Sequence, residues 1–284
     1  MNLPKVAIGI PVYNGEKYLR FALDSLLAQT YQDFHIYISD NASTDGTQLI
    51  CLEYANKDSR IKYFKQPNNI GIVKNFDFVK VQSINYELFM WAAHDDYWDT
   101  NWLELLVNEM KPDDLGVRGN VVNVDQDGKQ MGVTHVTSFN RGDVLDVFLD
   151  NEKNCRSFYY YALFNNDLLK KANFDLLNLD TTYGADTFFV CHLVQYGALR
   201  TVSQTNQYYR RHQGSTTNYY SKQWFGLKRL AFYLLPISTY IYTLKVVEKK
   251  YWLKIITVIP YKFIKSQFNI WPRIIKLIMT GSRL

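Results

Sequence analysis

The chain has 284 residues, 47% hydrophobic and 21% charged, which excludes a disordered protein and leaves room for one large domain with an appendage. The net charge of +5 hides a division: residues 1–221 carry 20 Lys and Arg against 26 Asp and Glu, whereas residues 222–284 carry 12 against 1. An acidic body and a basic tail point to chemistry in the first and an anionic contact in the second.

Cys51, Cys155 and Cys191 are too few and too widely spaced for a disulfide framework and fit a reducing cytoplasm. The apolar run entered at Val6 is broken by Pro11 and Asn14, so no cleavable export signal is expected.

In chain order, Lys5–Tyr13 reads as a buried strand, followed by a helix with apolar residues at Tyr18, Phe21, Ala22 and Leu26. His35–Ser39 is a second strand ending on Asp40. The turn residues NASTDGT follow, with Thr44 or Asp45 capping a helix to about Asn56. Ile61–Lys65, Val73–Gln82 and Glu87–Ala93 continue as strand, helix and strand, which implies a doubly wound, mostly parallel sheet.

The fourth strand stops at Asp95-Asp96. Ligands of open α/β sheets bind beyond the carboxyl ends of strands, and two adjacent carboxylates favour a hard divalent cation shared with phosphate. The alternative is that Asp95, Asp96 and Asp99 cap a helix from about Thr100 to Met110.

Beyond it, two β-rich runs flank Asp127-Gly128 as a hairpin. Asn166–Ala172 and Asp186–Gln195 read as helices, and Leu199–Val202 and Gln207–Arg211 as two strands. From Trp224 the chain is aromatic, aliphatic and basic, with Pro236, Pro260 and Pro272 each able to open a helix. Its longest uncharged run, Leu230–Leu244, has 15 residues and contains a proline, short of the roughly 20 needed to span a bilayer. The reading is therefore a tail of amphipathic helices in a membrane interface. A nucleic-acid arm is the rival, but the basic residues are interleaved with large aliphatics rather than clustered, so no nucleic acid is expected.

Four segments, Ile10–Thr47, Asn68–Phe76, Ala92–Trp98 and Tyr183–Phe189, together resemble a family 2 glycosyltransferase of inverting type and GT-A fold. The resemblance covers about residues 5–215. It implies a Rossmann-like GT-A domain over residues 1–221, followed by the helical segment 222–284. It also implies a hexosyltransferase that uses a UDP-sugar and Mn²⁺ or Mg²⁺.

Around the donor it places Pro11, Tyr13, Asp40, Lys74, Asp95, Asp96 and His212. Asp40 would accept the imino N–H of the base, Asp95 would hold the ribose and Asp96 the metal, while Asp186 would be the catalytic base. Arg210 and Arg211 are secondary candidates for the diphosphate.

Asn41 stands where the family often has a second aspartate, and Ala93 replaces an acidic residue sometimes found before the metal pair. The acceptor expected is a hydroxyl of a glycan or lipid-linked molecule, in bacterial surface-polysaccharide assembly at the inner face of the cell membrane, with an oligomer possible. A non-catalytic nucleotide-sugar-binding protein of the same fold is the alternative.

Overall fold

In the computed structural model, residues 3–149, 156–171, 185–212, 244 and 247–260 are described. The sheet order is β3-β2-β1-β4-β8-β6-β9-β5, with β7 paired to β6. The strands are β1 (Val6–Val12), β2 (Phe34–Asp40), β3 (Ile61–Lys65), β4 (Leu88–Trp91), β5 (Tyr97–Trp98), β6 (Asp114–Val124), β7 (Gln130–Thr134), β8 (Leu163–Asn165) and β9 (Ala198–Arg210). Helices α1 (Leu19–Leu27), α2 (Thr47–Lys57), α3 (Ile72–Val81) and α4 (Trp102–Glu109) follow the first, second, third and fifth strands.

β1 is buried along its whole length, as expected of a strand covered on both faces. Its side chains alternate between two cores. Val6, Ile8, Ile10 and Val12 join Leu88 and Met90 of β4 under α1, α2 and α4, whereas Ala7 joins Phe89 and Trp91 on the face of α3.

On that second face lie α5 (Val144–Leu149), the 3-10 helix Arg156–Tyr161, α7 (Ala185–Leu193) and α8 (252–260). A short α6 (Asn166–Leu169) follows β8 and is capped by the Asn165 side chain, which accepts from the Asp167 and Leu168 amides.

The sheet opens where the site was expected. β1 pairs β4 only as far as Gly9 with Trp91, but pairs β2 as far as Val12 with Asp40. β4 ends at Trp91, so beyond Gly9 β1 has a strand on one side only, at the switch point of strand order where open α/β sheets bind ligands. Pro11, which has no N–H to donate, lies past the last β1–β4 pair.

The hairpin is present, turning at Gly128 with φ +88. Three parts of the second half differ from expectation. The two expected strands are a single β9, whose parallel pairing with β6 breaks after Thr201 and resumes at Asn206 with a shifted register. The three-residue β8, too short to show a period, runs antiparallel between β4 and β6. The helix expected at Thr100 is capped at Asn101 with no side-chain cap bond, so the aspartates before it are not caps.

In the tail, helix is already formed before Pro260, so that proline does not open it; Pro236 and Pro272 lie outside the described residues. Val247 and Ile255 are buried with the core of the α3 face. Among the described residues, no helix is long and apolar enough to cross a membrane.

Candidate functional site

Two loops beyond the carboxyl ends of β1 and β2 are laced together reciprocally. The Asn14 amide donates to Ser43 Oγ at 2.9 Å and the Thr44 amide to Asn14 Oδ1 at 2.9 Å. The Gly46 amide donates to Glu16 Oε2 at 3.0 Å and the Glu16 amide to Asp45 Oδ2 at 3.1 Å. Such exchanged bonds satisfy turn donors that would otherwise be orphaned and make one rigid wall from two loops.

Asp40 closes this wall from below. It is fully buried, Oδ1 accepting from the Ser43 amide at 2.8 Å and Oδ2 from the Tyr63 hydroxyl at 2.9 Å. The carboxylate expected to face a base thus accepts one hydrogen bond from its own turn and one from β3. Asn41 beside it is also buried. It donates from Nδ2 to Asn69 Oδ1 at 3.0 Å and accepts the Ile70 amide at 2.8 Å, fastening the loop before α3. Tyr13 is exposed at the rim and Lys74 is exposed on the first turn of α3.

The adjacent aspartates after β4 have different partners. Asp96 is turned inward and is 1% exposed. Its Oδ2 accepts from Gln207 Nε2 at 2.7 Å and its Oδ1 from the Arg210 amide at 3.0 Å, both on β9. Burial, then the charge of Asp95, pushes its carboxyl well above the usual carboxylate range.

Asp95 is partly buried, with Oδ2 2.9 Å from His212 Nε2. Burial raises its pKa, but His94 and His212 outweigh burial and hold the carboxyl below the usual range. The His212 ring in turn leans on Tyr18, centroids 4.7 Å apart.

Arg210 is not the diphosphate ligand it was weighed as. Nε donates to the Asp95 carbonyl at 3.1 Å and Nη1 to the Gln126 carbonyl at 3.0 Å, and the guanidinium lies 4.8 Å over the Tyr18 ring. It is a clamp holding β9 against the aspartate turn. Arg211 Nε donates to Asn123 Oδ1 at 3.0 Å.

Among the described residues, no group of three or more His, Cys, Asp or Glu could hold a metal unaided. Asp95 and His212 nonetheless fit a divalent ion whose other ligands are phosphate and water, for they offer an oxygen and a nitrogen that already converge. Asp96, expected to hold the ion, is buried, and each of its oxygens accepts one hydrogen bond from β9.

The family model for Glycosyl transferase family 2 matches residues 7–173, which includes both laced loops and the aspartate turn. The chain belongs to that family. A glycosyltransferase of Haemophilus influenzae is 24% identical over 78% of this chain and 70% of its own length. One of Rickettsia typhi is 40% identical over 37% of this chain, and the match spans only 31% of that relative. Among solved structures, S. aureus TarS 1–349 in complex with UDP-GlcNAc superposes with a TM-score of 0.61 at 17% identity, covering 93% of this chain and 73% of that one. A Pyrobaculum calidifontis mannosyltransferase in complex with GDP-Man and Mn²⁺ gives 0.59 at 14% identity, covering 100% and 77%. At such identities the likeness is one of fold, and the fold is GT-A.

In this family 2 chain Asp186 lies in the first turn of α7, and its side chain is outside the described residues. The helix itself is pinned near the site: Phe189 packs on Trp91, the last residue of β4, with ring centroids 6.1 Å apart. Gln207 and Tyr18 went unnoticed in the sequence. Gln207 alternates inward along β9 with Thr205, a buried polar pair that a period-2 reading of that strand could have raised.

Proposed function

We propose that this family 2 protein transfers a sugar from a UDP-sugar to a hydroxyl of a glycan or lipid-linked acceptor, with inversion at the anomeric carbon. The observation that carries the reading is the Asp95–His212 pair, converging at 2.9 Å beyond the carboxyl end of β4. There the donor's diphosphate would lie against Asp95 and His212, with Lys74 adding a point charge. Pro11 and Tyr13 would border the nucleoside, and Asp40 and Asn41 would hold the loops that shape the base pocket.

A bound Mn²⁺ or Mg²⁺ would act as a Lewis acid toward the leaving diphosphate. Asp96 supports this site from below rather than ligating the ion. Asp186 carboxylate takes the proton of the attacking hydroxyl in a single in-line displacement, so one base suffices. The residues of the body, 1–221, carry the chemistry, and the basic segment 222–284 keeps the enzyme at the inner face of the cell membrane, where surface-polysaccharide precursors would be met. TarS bound to UDP-GlcNAc supports a UDP-sugar donor, and the mannosyltransferase bound to Mn²⁺ supports a divalent ion.

Two substitutions test the reading by calorimetry and product assay. Asp95→Ala should abolish the Mn²⁺-dependent part of UDP binding. Asp186→Asn should bind UDP as wild type does, while transfer falls by about 10² to 10⁴-fold, the usual worth of a general base. Unchanged metal dependence in the first, or full activity in the second, overturns the corresponding role.

A further inference from the structure

α8 has two apolar faces. At about 100° per residue, Ile255, Val258 and Ile259 fall on one arc, and Trp252, Leu253 and Ile256 on the arc beside it. The first arc packs on the body: Ile255 is wholly buried, and Val258 and Ile259 lie against the same core. Just upstream, Val247 is buried, and the Glu248 amide donates to Gln195 Oε1 at 2.7 Å, seating the start of α8 at the carboxyl end of α7.

The second arc faces water, with Trp252 37%, Leu253 74% and Ile256 48% exposed. The Trp252 indole N–H is already satisfied by the Val247 carbonyl at 3.3 Å, so only its apolar body is left outward. A helix at a protein surface ordinarily turns charged and polar residues to solvent.

We infer that this outer face is a lipid-docking face: Trp252, Leu253 and Ile256 enter the boundary of an anionic bilayer, and Lys249 and Lys254 lie beside them at the headgroups. The inference deepens the membrane placement proposed above and rests on it. Charge complementarity favours lipid, since residues 222–284 carry 12 basic residues against 1 acidic, and Lys249 and Lys254 are exposed. Area argues against a second copy of the chain. Nine helical residues present a face about 14 Å long and about 10 Å wide, far below the roughly 800 Å² per partner of a stable interface.

Because α8 is seated at the far end of α7, docking would hold the helix that bears Asp186 at a fixed height above the membrane. Asp186 and Leu193 are about 10 Å apart along that helix.

Flotation of the full chain with phosphatidylcholine vesicles, with and without phosphatidylglycerol, tests the inference. Wild type should float only with the anionic lipid. The doubly substituted Leu253→Glu, Ile256→Glu protein should lose about tenfold or more of that binding. Its UDP affinity and melting temperature should stay unchanged, since both side chains are exposed. A double variant that floats like wild type overturns the docking face while leaving membrane placement intact. A wild type indifferent to both vesicles overturns placement and face together. Wild-type dimers that the double variant converts to monomers, seen by sedimentation, would make the face a contact between copies and overturn lipid docking.

Discussion

At the scale of single residues, the two neighbouring aspartates differ through their partners: Asp96 accepts from Gln207 and the Arg210 amide of β9, and Asp95, in the turn before it, meets His212. Asp96→Asn replaces an acceptor-only group with an amide, so Gln207 or the Arg210 amide loses its partner in a buried place. The expected cost is about 1–3 kcal/mol in chemical denaturation. Metal-dependent UDP binding should survive better than in Asp95→Ala, the reverse of what the sequence led us to expect.

A second residue-scale effect is set by pH. His35 on β2 faces Tyr86, Lys62, Lys5, Arg60 and Asp33, and burial, then Lys62, holds its imidazole below the usual value of 6.5. Its unfolded form therefore takes up a proton first. Stability from neutral His35 is complete above 6.5 and is lost as the pH falls from there through the lowered folded value. Melting temperatures measured from pH 7.5 to 5 should fall less steeply for His35→Gln than for wild type. Parallel slopes would show that His35 does not contribute.

At the scale of elements, the join between β6 and β9 decides the geometry of the site, for β9 brings Gln207, Arg210 and the approach to His212. Its register shifts between Arg118 and Asn120, where Gly119 lies beneath the Thr205 carbonyl and the Trp102 ring. A Cβ at 119 would run into that backbone oxygen and come within 2.5 Å of Trp102. Gly119→Ala should thus cost about 1–3 kcal/mol as overpacking and should weaken UDP binding by displacing β9 from the aspartate turn. Calorimetry and thermal melts on the same protein check both halves. A stable variant with normal UDP affinity would mean that β9 can slide without disturbing Asp96.

The elements legible in the sequence were those with a strong local period, β1 through β4 with the helices between them, and α4. β8 has three residues and β5 two, lengths at which no alternation can be read. The polar stretch Ser203–Thr205 reads as a turn on its own, and it falls where the pairing of β9 with β6 shifts register, with the Ser203 carbonyl accepting from the Asn120 side chain at 3.0 Å.

At the scale of the whole molecule, the division into body and tail is sharper in charge than in packing. Composition separates residues 222–284 as an appendage, and nothing in that reading forbids a body that folds without it. Yet Val247 and Ile255 are 6% and 0% exposed in the core under α5 and α7. Removing residues 222–284 should therefore cost about 3–6 kcal/mol, at about 1.5–3 kcal/mol for each large aliphatic uncovered. The melting temperature should drop by roughly 10 °C or more, at about 2–4 °C per kcal/mol for a body of this size. Scanning calorimetry of the truncated and full chains measures this. An unchanged melting temperature would make the tail an independent unit after all.

The sequence by itself determined the doubly wound sheet, the family and the neighbourhood of the site. Each follows from local pattern: buried strands that end in turn residues, helices of regular period, and acidic groups at the carboxyl end of β4. Only the tertiary structure decided which partner each aspartate of the pair meets, which groups donate to Asp40, and that Arg210 clamps β9 to the aspartate turn. Those outcomes depend on which way a side chain leaves its strand and on partners more than twenty residues away: Tyr63 for Asp40, and Gln207, Arg210 and His212 for the aspartate pair. Charge and hydrogen-bonding capacity are written in a residue's type, but the partner that uses them is supplied by whichever strand the fold lays beside it.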